Sequence, residues 1–336
     1  MIRFKKIQIV CNLQLILLGI KRKIRIAFTS RYLFNNWHLL LIKYILARTG
    51  FNVKLRADID NCTVVLDPEV FVGLLLLFSH RLIRSVECTD DMFFVNGTKV
   101  NDISDVIYNV EILAKILGWN YDSISNCYVK DHVKFRHMRP SVINIIDGDA
   151  YSFLKVNGRI VVDVGAFIGD TSIYFVLRGA KRVISIEPHP EAYKELLENI
   201  RLNSLTNIII PVNAGLASKP GSICIKGKDL MHTYSTYHRP GGNCDSHIPA
   251  ITLRELIDKY AVKDDAILKI DCEGCEYDVI LNDYEYVRVF KELLIEYHSY
   301  AVNKSVKELL KILAKDYKCK LVEGGKDIGI IYCIRK

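Results

Sequence analysis

The chain has 336 residues, half of them hydrophobic and a quarter charged, the balance of a soluble globular protein that buries a sizeable core without staples. Its net charge of +8 is unevenly spread: residues 1–57 hold twelve basic and no acidic side chains, leaving about −4 for the rest. The second half is therefore not basic, which argues against a nucleic-acid groove running through it.

Between the first basic clusters lies Ile7–Ile20, an apolar run interrupted by Asn12 and Gln14. It is shorter than the roughly 20 apolar residues that span a bilayer. Lys21–Lys23 follow it where a signal peptide has a small-residue cleavage site. Two readings stay open: a surface helix resting on anionic lipid through residues 1–57, or a segment packed on its own domain. The ten cysteines lack the short, even spacings of a secreted scaffold and read as reduced, mostly buried thiols. That places the protein in the cytoplasm, with a peripheral position at the inner face of the membrane under the lipid reading.

Residues 1–148 form an accessory region, basic and apolar at its start and predicted to be mostly helical. Trp37–Ala47 and Val70–Ile83 have helical patterning, the second opened by Pro68 after Asp67. Asn96-Gly97, between Met92–Val95 and Thr98–Val100, has the chemistry of a hairpin turn.

Residues 149–336 alternate strand and helix at α/β spacing. Ile160–Val164 is a β-branched run suited to a buried parallel strand. Thr171–Leu177 follows as a helix closed by Gly179. Arg182–Ile186 is the next strand, and Pro190 starts a helix with Tyr193, Leu196, Leu197 and Ile200 on one face. Asn207–Val212, Ala266–Ile270 and Glu292–Glu296 read as strands. Thr252 and Glu255 make a capping box for a helix through Tyr260. The helix Ser305–Lys315 buries Val306, Leu309, Leu310 and Leu313, and strands near Cys319–Val322 and Ile328–Ile334 end the chain. This predicts a seven-stranded, mostly parallel sheet with its last strand antiparallel.

The strongest motif runs from Val161 to Thr171: a buried strand, a turn bearing Gly165, Ala166 and Gly169, and a helix opened by Asp170 and Thr171. The glycines are expected to let the backbone approach a ligand. The GxxxG spacing differs from the GxGxxG of dinucleotide folds. Asp163 is expected to face an ammonium, such as that of a methionine moiety. Glu187, before Pro188, ends the second strand and suits a ribose diol; Asn213 and Ala214 end the third, where an adenine edge falls.

These residues resemble the FkbM family of methyltransferases over roughly Asp149–Ile334. The marks are Val161–Thr171, Gly179–Pro188, Asn213-Ala214, Ile251–Leu256, Leu268–Glu276 and Ile295–His298. The resemblance implies a Rossmann-like class I methyltransferase fold, S-adenosylmethionine as cofactor, and O-methylation of a sugar, glycoconjugate or related small acceptor. Arg254 stands where the family usually has an acidic residue, and Cys272 and Cys275 replace small apolar ones.

Asp271 and Glu273 end the fourth strand and Glu296 and His298 the fifth, on the rim beside the expected methyl donor. O-methylation benefits from a base or a metal. Asp271 and Glu273 suit proton transfer, acceptor positioning or a divalent ion; His298 reads as the base, oriented by Glu296 or Glu273, or else as a core histidine. Glu276 reads as structural, paired with Lys269. No Asx-Pro-Pro-aromatic turn is present, which favours oxygen over nitrogen as acceptor. Cys272-Glu-Gly-Cys275 has no second CxxC or His pair to complete a tetrahedral zinc site, so no protein metal site is assigned and the spacing reads as coincidental. The polar insertion Lys226–Pro249 carries His232, Tyr234, Tyr237, His238 and Arg239, a candidate lid over a hydroxylated acceptor, with Arg239 first in line for a phosphate or carboxylate. Competing readings are a non-catalytic cofactor-binding module, and a nicotinamide-dependent oxidoreductase, which the missing GxGxxG disfavours.

Overall fold

Asn96 and Gly97 both take positive φ, the backbone a two-residue hairpin turn demands, and they join β4 (Met92–Val95) to β5 (Thr98–Val100) as the sequence predicts. The computed structural model describes residues 28–225 and 246–336, which contacts divide into two units, 28–150 and 151–336. The apolar run Ile7–Ile20 and the candidate lid residues His232, Tyr234, Tyr237, His238 and Arg239 lie outside the described residues.

In the first unit the helices Trp37–Arg48 and Pro68–Ser79 form where predicted. Eight short strands stand beside the helices and correct the expectation of a mostly helical region. They pair as a β1–β2 hairpin (Leu55–Ile59, Cys62–Leu66) and two three-stranded antiparallel sheets: β3 (Val86–Thr89) with β4 and β5, and β6 (Asn120–Asp122), β7 (Cys127–Lys130) and β8 (Val133–Phe135). Each strand has five residues or fewer, too short for alternation to be legible. Phe34, Leu40, Leu55, Phe71 and Leu74 lie in one buried cluster of this unit.

The second unit is built on a seven-stranded sheet. Its strands are β9 (Ile160–Val164), β10 (Arg182–Ile186), β11 (Ile209–Val212), β15 (Ile267–Ile270), β16 (Glu292–His298), β17 (Tyr317–Gly324) and β18 (Ile328–Arg335), in the spatial order β11-β10-β9-β15-β16-β18-β17. β9, β10, β11, β15 and β16 run parallel, and β18 is antiparallel to both neighbours, as expected of the last strand. β9 is buried at all five positions, as a β-branched run between two parallel neighbours requires. A small sheet of β12 (Gly215–Leu216), β13 (Gly221–Ile225) and β14 (Ser246–Ile251) flanks the polar insertion, which therefore connects two paired strands.

The chain moves outward from β9 through β10 to β11, then returns to β9's other side as β15. The carboxyl ends of β9 and β15 thus mark the point where strand order reverses, the place where open α/β sheets form a ligand crevice.

Among the described residues, the disulfides Cys62–Cys88, Cys272–Cys275 and Cys319–Cys333 correct the expectation of reduced thiols. The partners are 26 residues apart in the first case and cross-strand neighbours on β17 and β18 in the third, so folding rather than spacing pairs them. The cysteines therefore give no support to a reducing compartment. Among the described residues, no helix is long and apolar enough to cross a membrane.

Candidate functional site

Gly165 leaves β9 with φ +73, and a Cβ there would meet the Asp271 carbonyl oxygen at 1.7 Å. Gly169 caps the helix Asp170–Leu177 with φ +87, and its missing Cβ makes room for Leu196. Both glycines are needed, but the atoms filling their space belong to the protein: the first lets β9 and β15 close on each other, the second lets two helices pack.

Asp163 is likewise not open to the crevice. It is 0% exposed and accepts hydrogen bonds from Thr171 Oγ1 and Ser172 Oγ, each at 2.6 Å. Lys269 Nζ lies 3.2 Å from its other oxygen and donates to the Gly165 carbonyl at 2.9 Å. Burial opposes the charge on Lys269, but Asp163 and Asp271 outweigh it and hold the ammonium charged well above its usual range. This pair pins the turn from beneath, so Asp163 and Thr171 shape the site without facing it. Asp170, at the helix start, is also buried and accepts from the Thr171 N–H.

Glu187 ends β10 with its carboxylate against the same turn. Oε2 accepts the Phe167 N–H at 2.8 Å and Oε1 the His189 N–H at 2.7 Å. Each oxygen accepts one backbone donor, and a carboxylate oxygen has a second lone pair to offer. Burial pushes this carboxyl up to about 7 despite those two hydrogen bonds. Asn213, at the end of β11, donates to the Glu187 carbonyl at 2.9 Å and ties the third strand to the second. Ala166 and Ala214 are buried beside these turns and Pro188 is half-buried.

At the ends of β15 and β16 the carboxylates converge on one imidazole. His298 Nε2 lies 3.6 Å from Glu273 Oε1, 3.8 Å from Asp271 Oδ1 and 3.9 Å from Glu296 Oε1. His298 is 1% exposed, whereas the Asp271 and Glu273 side chains are 32% and 30% exposed. From behind, Glu276 accepts the His298 backbone N–H at 2.7 Å and the Gly274 N–H at 2.9 Å, with Oε1 3.4 Å from Nδ1. Glu276 is thus partnered with His298 and not, as expected, with Lys269. Burial works against a charged His298, but Glu276, Glu273 and Asp271 overcome it and raise its pKa to about 9. Burial, then Asp271, pushes Glu296 up to about 7.

The loop that presents Glu273 is held in an uncommon shape. Glu273 itself has φ +55, costly for a side chain with a Cβ. The Cys272–Cys275 bridge spans it, and Tyr300 Oη donates to its Oε2 at 2.5 Å. The CxxC spacing is therefore a clasp on an acidic loop and not a coincidence.

The sequence-derived residues among those described thus gather at the carboxyl ends of five adjacent strands. Sequence reasoning missed the part played by Lys269, Ser172, Glu276 and Tyr300. A lysine inside the apolar strand Ala266–Ile270 is the signal that something buried must meet its charge. Arg254, the departure from the family pattern, is exposed 3.8 Å from Asp258.

Residues 163–319 match the family described as the methyltransferase FkbM domain. The hexuronic acid methyltransferase AglP of Haloferax volcanii is 25% identical over 148 residues, covering 44% of this chain and 59% of that protein. The ribosomal protein L11 methyltransferase of Citrifermentans bemidjiense is 34% identical over 71 residues, 21% of this chain and 23% of that one. The chain thus spans less than two thirds of either curated relative. Among solved structures, the FkbM methyltransferase of Methylobacillus flagellatus KT has 19% identity and a TM-score of 0.41, over 58% of this chain and 48% of that one. The glycine turn from Asp163 onward, the acidic loop and the parallel strands between them fall in one unit, and it is this stretch, residues 163–319, that matches the methyltransferase FkbM domain.

Proposed function

We propose that this protein transfers a methyl group from S-adenosylmethionine to a hydroxyl of a sugar, glycoconjugate or related small acceptor. The observation that carries the reading is the crevice at the β9/β15 reversal, where the Glu187 carboxylate lies on one side and the Asp271–Glu273–Glu296 rim on the other. Glu187 fits a ribose diol: each oxygen has a lone pair beyond the backbone donor it already accepts. Asn213 and Ala214 border the position of an adenine edge. With Asp163 enclosed, the half-exposed Asp271 is the carboxylate available to a methionine ammonium. Bound there, S-adenosylmethionine supplies an electrophilic methyl carbon on a sulfonium.

The chain's own part is to hold, orient and accept a proton. Lys269 and Asp163 fix the turn that the cofactor rests on. The rim carboxylates accept hydrogen bonds from acceptor hydroxyls and take up the proton that leaves the reacting one. Alignment of acceptor oxygen and methyl carbon accounts for much of the rate in a displacement of this kind. The sugar acceptor is supported by the similarity to a hexuronic acid methyltransferase.

The reading is tested with methyl-labelled S-adenosylmethionine and a panel of uronic-acid glycosides, neutral glycosides and amines. The expected product is a methyl ether on a sugar hydroxyl. Transfer to nitrogen alone, or to none of the panel, overturns the oxygen assignment.

A further inference from the structure

The Lys269 ammonium stands 3.7 Å from Asp271 but is committed to Asp163 at 3.2 Å and to the Gly165 carbonyl. Four carboxylates, Asp271, Glu273, Glu276 and Glu296, nonetheless face a single imidazole. Anionic groups at this density in a half-buried cleft repel one another unless a cation sits among them. The imidazole adds a second and independent observation. Its side chain is 1% exposed, and Nε2 points at three carboxylate oxygens from 3.6–3.9 Å, beyond hydrogen-bond reach. A nitrogen this deeply enclosed, aimed at oxygens it does not touch, marks a space that takes an atom between them.

We propose that Asp271, Glu273 and His298 Nε2 bind a divalent transition-metal ion, of the Mn²⁺ or Zn²⁺ class, on the acceptor side of the site. One donor atom from each of the three residues lies within 4.8 Å of the others. Metal–oxygen and metal–nitrogen bonds of about 2.0–2.2 Å put donors across an ion at most about 4.4 Å apart, so small side-chain movements close the set. One imidazole with two carboxylates selects transition ions over Mg²⁺ or Ca²⁺, which prefer oxygen alone. Glu276 stands behind His298, 3.4 Å from Nδ1, in the position of the carboxylate that orients a metal-bound histidine. The same carboxylate accepts the Gly274 N–H, so it fixes the loop bearing Glu273 and the ring of His298 together.

The site closes from the protein side and opens toward the crevice. His298 is sealed behind, while Asp271 and Glu273 are each about one-third exposed. Three protein ligands with an open face are the arrangement of a reactive rather than a structural ion. An acceptor hydroxyl on that face would lose its proton more readily, and a uronic-acid carboxylate would meet a cation instead of a wall of negative charge. The chemical role rests on the methyltransferase reading; the existence of the site does not.

The test uses the full chain, stripped with chelator and dialysed. Mn²⁺ alone is titrated while free Mn²⁺ is followed by electron paramagnetic resonance, and Zn²⁺ alone is titrated by calorimetry. One ion per chain is expected, with affinity falling at least tenfold in Asp271→Asn and in Glu273→Gln. Both side chains are part-exposed, and circular dichroism of each variant reports its fold. Glu276→Gln is expected to cost about 10–100-fold in affinity. Binding of neither ion, or unchanged affinity in the two folded ligand variants, overturns the site. S-adenosylmethionine binding measured on the stripped protein separates the two readings: retained cofactor binding with no ion bound removes the metal site alone, and ion binding without cofactor binding removes the methyltransferase reading alone.

Discussion

Lys269 and Asp163 form an ion pair of 3.2 Å on adjacent central strands, with both side chains sealed from solvent. Hydroxyls of Thr171 and Ser172 donate to Asp163 and the carbonyl of Gly165 accepts from Lys269, which offsets part of the cost of burying the two charges. Replacing Lys269 with Met leaves Asp163 ionised without a counter-charge. Lys269→Met is therefore expected to destabilise the protein by about 3–5 kcal/mol, and Lys269→Met with Asp163→Asn by distinctly less. Urea unfolding of the two variants checks this; equal losses would show that the pair is not coupled.

Gly165 and Gly158 make a controlled comparison. Both have φ +73, but a Cβ at Gly165 meets the Asp271 carbonyl at 1.7 Å whereas at Gly158 nothing lies within 4 Å. Gly158→Ala is expected to cost about 1–2 kcal/mol from backbone conformation alone. Gly165→Ala carries the same cost plus the forced separation of β9 and β15, and is expected to lose both more stability and cofactor binding. Thermal unfolding of the two proteins side by side gives the comparison.

Glu187 predicts a pH dependence with two opposite signs. Burial raises its carboxyl from 4.5 to about 7. A raised carboxyl favours the protonated folded state, so its contribution to stability is full below pH 4.5 and is lost as pH rises through 7. Ribose hydroxyls instead prefer the ionised carboxylate, so S-adenosylmethionine is expected to bind more weakly as pH falls below 7, by up to about tenfold per unit. Calorimetry at pH 6 and pH 8 measures the difference, and Glu187→Gln is expected to flatten it.

Cys62 and Cys88 close a loop of 26 residues between β2 and β3. Restriction of the unfolded chain by a loop of that length is worth about 3 kcal/mol. Cys62→Ser with Cys88→Ser is expected to lower stability by roughly that amount, measured as a shift in the denaturant midpoint, while S-adenosylmethionine affinity stays unchanged.

The sheet was readable because its signals are local. Ile160–Val164, interrupted only by Asp163, has the length and branching a central strand needs, and the Thr252–Glu255 capping box marks its helix to the residue. Of the short strands of residues 55–135, only the pair joined by Asn96-Gly97 was readable, from its turn; in the others three to five residues show no dependable alternation and pairing across turns decides them. The site's membership was legible from strand ends, but not its roles. Asp163 and Asp271 look equivalent in sequence, and burial alone makes one a support and leaves the other open to the crevice. The clasp between Cys272 and Cys275 was invisible for the same reason: spacing of three suits a disulfide, a metal or neither, and the turn around Glu273 decides.

Binding of the methyl donor itself is the most direct test. Purified protein is titrated in a calorimeter with S-adenosylmethionine and, separately, with NAD, alongside Glu187→Ala. The account predicts one S-adenosylmethionine site per chain, lost or strongly weakened in the variant, and no heat with NAD. No binding of S-adenosylmethionine, or equal binding by the variant, would contradict the placement of the cofactor at the ends of β9 and β10.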